Sequence, residues 1–212
     1  MEAFKLQADR TAWTIGFDFE EQARIDGYQL IAGVDEVGRG CLAGPVVAAA
    51  CILDPDKPVP HGLNDSKKLS GRRREHIAEE LRENVVAFAI GSVEAEEIDA
   101  INILEATKKA MVLAINALRP AAEYLLIDAI QLRNLSIPQK ALIKGDAISY
   151  SIAAASVIAK TYRDNLMVEY DREFPRYGFA GHKGYGAASH LAVLREFGPC
   201  RLHRKSFRGV LN

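Results

Sequence analysis

The chain has few cysteines and almost no net charge. Its three cysteines, Cys41, Cys51 and Cys200, are odd in number and form no Cys-x-x-Cys pair. That excludes a disulfide framework and a thiolate zinc site. Cys51 lies in an apolar run and reads as a small core residue. A formal net charge of -1 means that bulk electrostatics do not announce a nucleic-acid partner. There is no N-terminal charged-then-apolar leader and no apolar stretch of transmembrane length. A reducing cytoplasm is the expected compartment, with no membrane partner and a monomer as the expected state. No internal repeat, low-complexity segment or obvious linker interrupts the 212 residues, which are 49% hydrophobic. One compact unit is the simplest reading.

What is present is local. His203-Arg204-Lys205-Ser206-Phe207-Arg208 and Arg72-Arg73-Arg74 are basic clusters on a balanced chain. The second, taken alone, reads as a solvated face. Residues 1–27 form a lead-in, in which the Asp18 and Glu21 spacing predicts a capping box and a short helix. Strands are expected over 28–34 and 46–53, joined as a hairpin across Gly44-Pro45, and over 85–93, 123–127 and 139–143. Ser70 is expected to cap a helix ending near Asn84. A helix over 94–118, broken near Asn102, places Leu104, Met111, Ile115 and Leu118 on one face. A long helix over 147–173 carries Ala155 and Ala159 for close packing and stops at Phe174-Pro175. A glycine-rich loop, a last helix near 188–196 and the basic tail follow. Strands in sequence and then strands alternating with helices give an α/β fold: a mixed sheet with helices packed on it and a helical C-terminal appendage.

The run Ile31-Ala32-Gly33-Val34-Asp35-Glu36 reads as a buried strand ending in two adjacent acids. An unpaired buried carboxylate is costly, so a cation is expected there. Asp128 and Asp146 each end a further apolar run. Residues outside strand ends line the ligand crevice of such sheets. An oxygen-only donor set without neighbouring His or Cys suits Mg²⁺ or Mn²⁺. Two such ions, about 3.5–4 Å apart, can clamp an in-line phosphoryl displacement. Because successive strand residues face opposite ways, Asp35 and Glu36 share a site only if the strand ends there and Glu36 turns with the loop. Asp146, just ahead of a long helix, reads equally well as its N-cap.

Gly38-Arg39-Gly40 follows. The spacing from Gly33 to Gly40 is that of a P-loop, but Arg39-Gly40 stands where Lys-Ser or Lys-Thr is required. As a dinucleotide fingerprint the third glycine, Gly44, falls one position late, and a strand follows. What remains is a turn whose backbone can meet a sugar or phosphate, with Arg39 as a cationic arm.

Taken together these pieces resemble the ribonuclease HII family. The matching stretches are Gly33 through Gly40, Leu63-Asn64-Asp65-Ser66-Lys67-Lys68-Leu69, Glu97-Ile98-Asp99 with Asn102-Ile103, and Leu126-Ile127-Asp128. Lys144-Gly145-Asp146, Ser151 through Asp164, His182 through Gly186 and His203 through Phe207 complete the set, in the family's order over residues 28–208. The resemblance implies a ribonuclease H-like fold, a mixed sheet of about five strands flanked by helices, over a catalytic domain at 28–212. It implies cutting of the RNA strand in RNA–DNA hybrids and at single ribonucleotides embedded in duplex DNA, leaving 3′-hydroxyl and 5′-phosphate ends. Asp35, Glu36, Asp128 and Asp146 match the metal-binding acids. Gly38-Arg39-Gly40 matches the loop that reads the ribose 2′-hydroxyl, and Tyr185 the tyrosine that stacks on the sugar at the RNA-to-DNA junction. Ser66, Lys67 and Lys183 match phosphate contacts. His182 and His190 receive no role beyond packing.

Ribonuclease HIII carries an additional N-terminal domain, and 27 residues before the first strand are too few for one. Type 1 ribonuclease H lacks the adjacent Asp-Glu. A hybrid-binding protein without catalysis is disfavoured by the presence of all four acids. A metal-dependent phosphatase or nucleotidyl transferase on a similar sheet is the remaining alternative.

Overall fold

A computed structural model describes residues 14–211. Five strands form one mixed sheet: β1 (Ile31–Val37), β2 (Val46–Ile52), β3 (Ala87–Val93), β4 (Tyr124–Asp128) and β5 (Gln139–Leu142). Their order is β3-β2-β1-β4-β5. β1, β2 and β3 are an antiparallel meander, so the hairpin across Gly44-Pro45 forms as expected. β4 pairs parallel to β1, and β5 parallel to β4.

Every residue of β2 is buried because helices cover both faces of the sheet. Ala48 and Ala50 face α4 (Ile103–Ala117) through Ala106, Ala110, Met111 and Ala114. Ala49 and Cys51 face α5 (Tyr150–Glu173) and, beyond it, Ile77 and Leu81 of α2 (Gly71–Asn84). The alanines on both partners, Ala155 and Ala159 among them, bring α5 close to the strands. Gly33 is where contact is tightest: a Cβ there would lie 2.0 Å from the carbonyl carbon of Ser151. Only glycine lets the two backbones approach so closely.

Caps decide the boundaries. The Ser70 hydroxyl accepts from the Arg73 N–H and starts α2. The helical stretch after β3 breaks at Asn102 into α3 (Ala95–Ile101) and α4. Asn102 has φ 67, and its side chain accepts from the Leu104 and Glu105 N–H groups. Met111, Ile115 and Leu118 are buried, whereas Leu104 is exposed, lining an open groove between α4 and the loop after β4. In α1 (Asp18–Ile25) the capping box does not form: the N-cap is Phe17, and Asp18 is already helical. The buried Glu20 instead accepts from the Ser149 hydroxyl at 2.7 Å and the Ser151 N–H at 2.9 Å, tying α1 to the start of α5. α5 itself begins at Tyr150, later than expected, with Ser149 as its cap.

Beyond α5, a 3-10 turn (Pro175–Tyr177), α6 (Phe179–His182) and α7 (Ala188–Phe197) pack as an appendage around Met167, Tyr177, Phe179, Leu194 and Leu202. The basic clusters are not simple solvated faces. Arg204 is fully buried, Arg74 is paired with Asp164 at 2.8 Å, and Asp99 accepts from the Lys205 and Ser206 N–H groups. Among the described residues no helix is long and apolar enough to cross a membrane.

Candidate active site

The parallel register sets Val34 beside Ile127, so the next residues, Asp35 and Asp128, emerge side by side at the carboxyl end of the sheet's centre. Asp35 is 4% exposed and lies on the α5 face. Its carboxylate accepts the N–H of Glu36 at 2.7 Å. Burial, then the charges of Glu36 and Asp128, hold its pKa well above the ordinary carboxylate range, and the Ser156 hydroxyl opposes them.

Glu36 departs from expectation. β1 continues through Val37, with Asp35 opposite Ala49 and Glu36 opposite Ala48. The chain therefore does not turn at Glu36; strand alternation sends its Cβ to the face opposite Asp35, while its carboxylate stays within electrostatic reach of Asp128 and Lys67. They remain electrostatically joined at the strand end, since Asp128 raises the pKa of both. Burial is the larger cause for Glu36, offset by Arg39 at 3.5 Å. Glu36 Oε2 is buried without a hydrogen-bond partner.

Asp128 is held at the end of β4, where its Oδ1 accepts the Gly145 N–H at 2.7 Å. Asp146 follows in the 3-10 turn Gly145–Ala147, buried and free of capping duty because Ser149 caps α5. Burial raises both pKa values, and the Asp65 carboxylate adds to the effect in each. Lys67 lowers both and so faces the acids. Asp65, which caps the short turn carrying Ser66 and Lys67, is an acid of the site that motif reading passed over. Its position beside a site lysine was the available signal. Among the described residues no three carboxylate, imidazole or thiol groups gather into a ready-made ligand set.

The Gly38–Gly40 turn lies alongside. Gly38 has φ 93, and a Cβ on it would come 2.4 Å from Arg163 Nε. Gly40 is exposed, and a Cβ there would meet nothing within 4 Å. Below the turn are two fully buried arginines. Arg163 donates to the carbonyls of Pro45, Lys183 and Ala43 at 2.9, 2.9 and 3.0 Å. Arg204 donates twice to the Gly44 carbonyl and once, at 3.0 Å, to that of Arg39. These bonds join the turn to the loop of Lys183 and Tyr185. Sequence reading gave neither arginine a separate part; its place one helical turn beyond the buried Ala159, on the same face of α5, was the signal for Arg163.

Tyr185 is partly exposed, with Lys160 Nζ 5.8 Å from its ring centre. Burial, with the Cys41 thiol beside it, pushes its hydroxyl up to about 12. Lys67 and Lys68 are both exposed on their loop, and Lys67 is the one that acts on the acids. Ser66 is buried and shares a 2.9 Å hydrogen bond with Ser156. The Lys183 ammonium donates to the Ala180 carbonyl. The structure thus gathers Asp35, Glu36, Asp128, Asp146, Arg39 and Lys67. Tyr185 and Lys183 lie in the neighbouring loop, with the Tyr185 hydroxyl beside Cys41 and the Lys183 carbonyl receiving Arg163.

The model of the family described as ribonuclease HII matches residues 32–210. The chain is 57% identical over 193 residues to a ribonuclease HII of Chlamydia caviae, covering 91% of this chain and 90% of that protein. It is 53% identical over 192 residues to one of Syntrophotalea carbinolica, covering 91% of each. The crystal structure of the ribonuclease H2 from Pyrococcus horikoshii OT3 superposes with a TM-score of 0.73 at 25% identity, covering 86% of this chain and 95% of that one. A five-stranded ribonuclease H-like sheet and matches over most of both chains therefore place this chain in the ribonuclease HII family of RNA–DNA hybrid endonucleases.

Proposed function

We propose that the protein is a divalent-metal-dependent endonuclease that cuts the RNA strand of RNA–DNA hybrids and also single ribonucleotides embedded in duplex DNA. Its products carry 3′-hydroxyl and 5′-phosphate ends. The observation that carries this reading is charge without compensation. Asp35, Asp128 and Asp146 converge on one sheet end, and none forms an ion pair among the described residues. The buried, unpartnered Glu36 Oε2 adds a fourth oxygen donor. This all-oxygen set fits Mg²⁺ or Mn²⁺, with Asp35, Glu36, Asp128 and Asp146 as the residues that would hold them. Bound there, such ions lower the pKa of water and compensate charge at the phosphate.

The rest is done by the chain. The open space at Gly40 lets the backbone of Gly38-Arg39-Gly40 approach a ribose, where the 2′-hydroxyl distinguishes RNA from DNA. Tyr185 stacks on the sugar across the junction. Arg39, Lys67 and Lys183 meet phosphates; Ser66, expected to do the same, is buried against Ser156 and serves instead to anchor the loop of Lys67. Phosphate contacts position a duplex without reading bases, so base preference is small and binding is salt-sensitive. Residues 28–212 act as one catalytic unit, with 1–27 as lead-in. The free cysteines suit a cytoplasmic setting.

The test is cleavage of a DNA duplex bearing one ribonucleotide, with Mg²⁺ or Mn²⁺. The parent cuts at the ribonucleotide and Asp35→Asn loses at least about a hundredfold in rate. Equal cutting by the two proteins overturns the assignment.

A further inference from the structure

Three histidines of the appendage, His182, His190 and His203, have no part in the site proposed above, and their hydrogen bonds form a directed chain. His190 is fully buried and His203 is 2% exposed. His190 Nδ1 lies 2.9 Å from the carbonyl oxygen of Tyr185. A carbonyl only accepts, so this nitrogen carries the hydrogen. A neutral imidazole has one N–H, which makes His190 Nε2 an acceptor. It faces His203 Nε2 at 3.0 Å. His203 then supplies that hydrogen and keeps its own Nδ1 as an acceptor. That atom receives the Cys200 N–H at 3.0 Å, with the Cys200 thiol at 3.2 Å. Each link demands the tautomer that the next one needs.

His182 repeats the logic. Its ring stacks on His190 at 4.2 Å. Its Nδ1 accepts the Gly184 N–H at 3.1 Å, so its Nε2–H donates to the Tyr177 carbonyl at 2.8 Å. The segment being held is one that does not hold itself: Lys183 has φ 53 and Gly184 φ 83, directly before Tyr185. A second proton on the His190–His203 pair would face an N–H against an N–H. Burial disfavours that proton on both rings.

We propose that His190 and His203 are positioning residues: as a neutral imidazole pair running from Cys200 to the Tyr185 carbonyl, they fix the main chain that places the Tyr185 ring beside the Gly38–Gly40 turn. This rests on the reading of Tyr185 as a substrate residue. The chain of bonds also explains why His203, in a segment that looks like a basic tail, is buried.

Two measurements test it. Long-range proton–nitrogen spectra of the ¹⁵N-labelled parent should show a protonated Nδ1 on His190 and a protonated Nε2 on His203, both rings of the pair neutral at pH 7. An imidazolium or the opposite tautomer at His190 overturns the proposal. In cleavage of the single-ribonucleotide duplex, His203→Leu should raise KM about tenfold and leave kcat within about threefold. His203→Gln, whose amide can still donate toward His190, should recover most of that loss. If His203→Leu costs the same factor in a Tyr185→Ala background as in the parent, the pair does not act through Tyr185 and the proposal fails. If Tyr185→Ala itself cuts like the parent while the tautomers are as assigned, the substrate role of Tyr185 fails and the hydrogen-bond chain stands.

Discussion

The carboxylate of Asp128 accepts the backbone N–H of Gly145 at 2.7 Å, and this bond ties the end of β4 to the turn that carries Asp146. One acid of the site thereby sets the position of another. Asp128 has two separable duties, charge toward a cation and an acceptor for the turn. Asp128→Asn keeps the acceptor and removes the charge; its thermal midpoint should stay at or above that of the parent while cleavage falls at least about a hundredfold. Asp128→Ala loses both and should be less stable than the Asn variant by about 1–2 kcal/mol. Denaturant titration of the two variants beside the parent measures the difference.

The metal-free protein should carry a cost from its own site. Burial, with Glu36 and Asp128 beside it, raises the pKa of Asp35 above its unfolded value. The folded state therefore keeps that proton to higher pH than the unfolded state does. The stability tied to the neutral carboxyl is complete below the unfolded pKa and is lost as pH rises through the folded one. In chelator, Asp35→Asn should melt higher than the parent, with a gap that widens from acidic toward neutral pH. Added Mg²⁺ or Mn²⁺ should raise the midpoint of the parent more than that of the variant. Thermal melts across pH, with and without the ion, decide it.

The two glycines of the turn should fail in different ways. Gly38→Ala forces a side chain into a positive φ and against Arg163 Nε and the Pro45 carbonyl. It should cost about 1–3 kcal/mol of stability, with activity falling alongside. At Gly40 an added methyl meets nothing in the protein. Gly40→Ala should melt like the parent and yet show a KM raised about tenfold or more on ribonucleotide-containing duplex. Melting curves paired with steady-state kinetics separate the structural glycine from the one kept open for a ligand.

Lys67 should act as a phosphate contact and not as part of the frame. It is exposed and faces Asp128 and Asp146 electrostatically. Lys67→Ala should weaken hybrid binding evenly across base sequences and make the slope of log K against log salt shallower by about 1. Binding isotherms at several salt concentrations, on hybrids of different sequence, check both statements.

Much of this was legible in the chain because it depends on local rules. Ser70 capped the predicted helix since its hydroxyl reaches an N–H three residues on. Asn102 broke the helical stretch, and Phe174-Pro175 ended α5. The carboxylates Asp35, Asp128 and Asp146 stood out because acids at the ends of apolar runs conflict with burial. Other features depend on partners far away in sequence. Asp18 did not cap α1, since Glu20 reached Ser149 and Ser151 instead. Arg204 and His203 read as part of a basic tail, and the structure turns them inward onto Gly44, Arg39 and His190. No spacing rule encodes those bonds.

The sequence by itself determined the element types, the order of the acids and the glycine turn, because propensity, capping and alternation act over a few residues. Only the tertiary structure decided where Glu36 points, which residue caps α5, and what holds Tyr185. A continuous strand sets the Glu36 Cβ on the face opposite Asp35, and its carboxylate still reaches Asp128 and Lys67 at the strand end. Ser149, not Asp146, meets the first free N–H groups of the helix. The imidazoles of His190 and His203 reach Tyr185 because packing around Phe179 and Tyr177 brings three separate segments within hydrogen-bond distance.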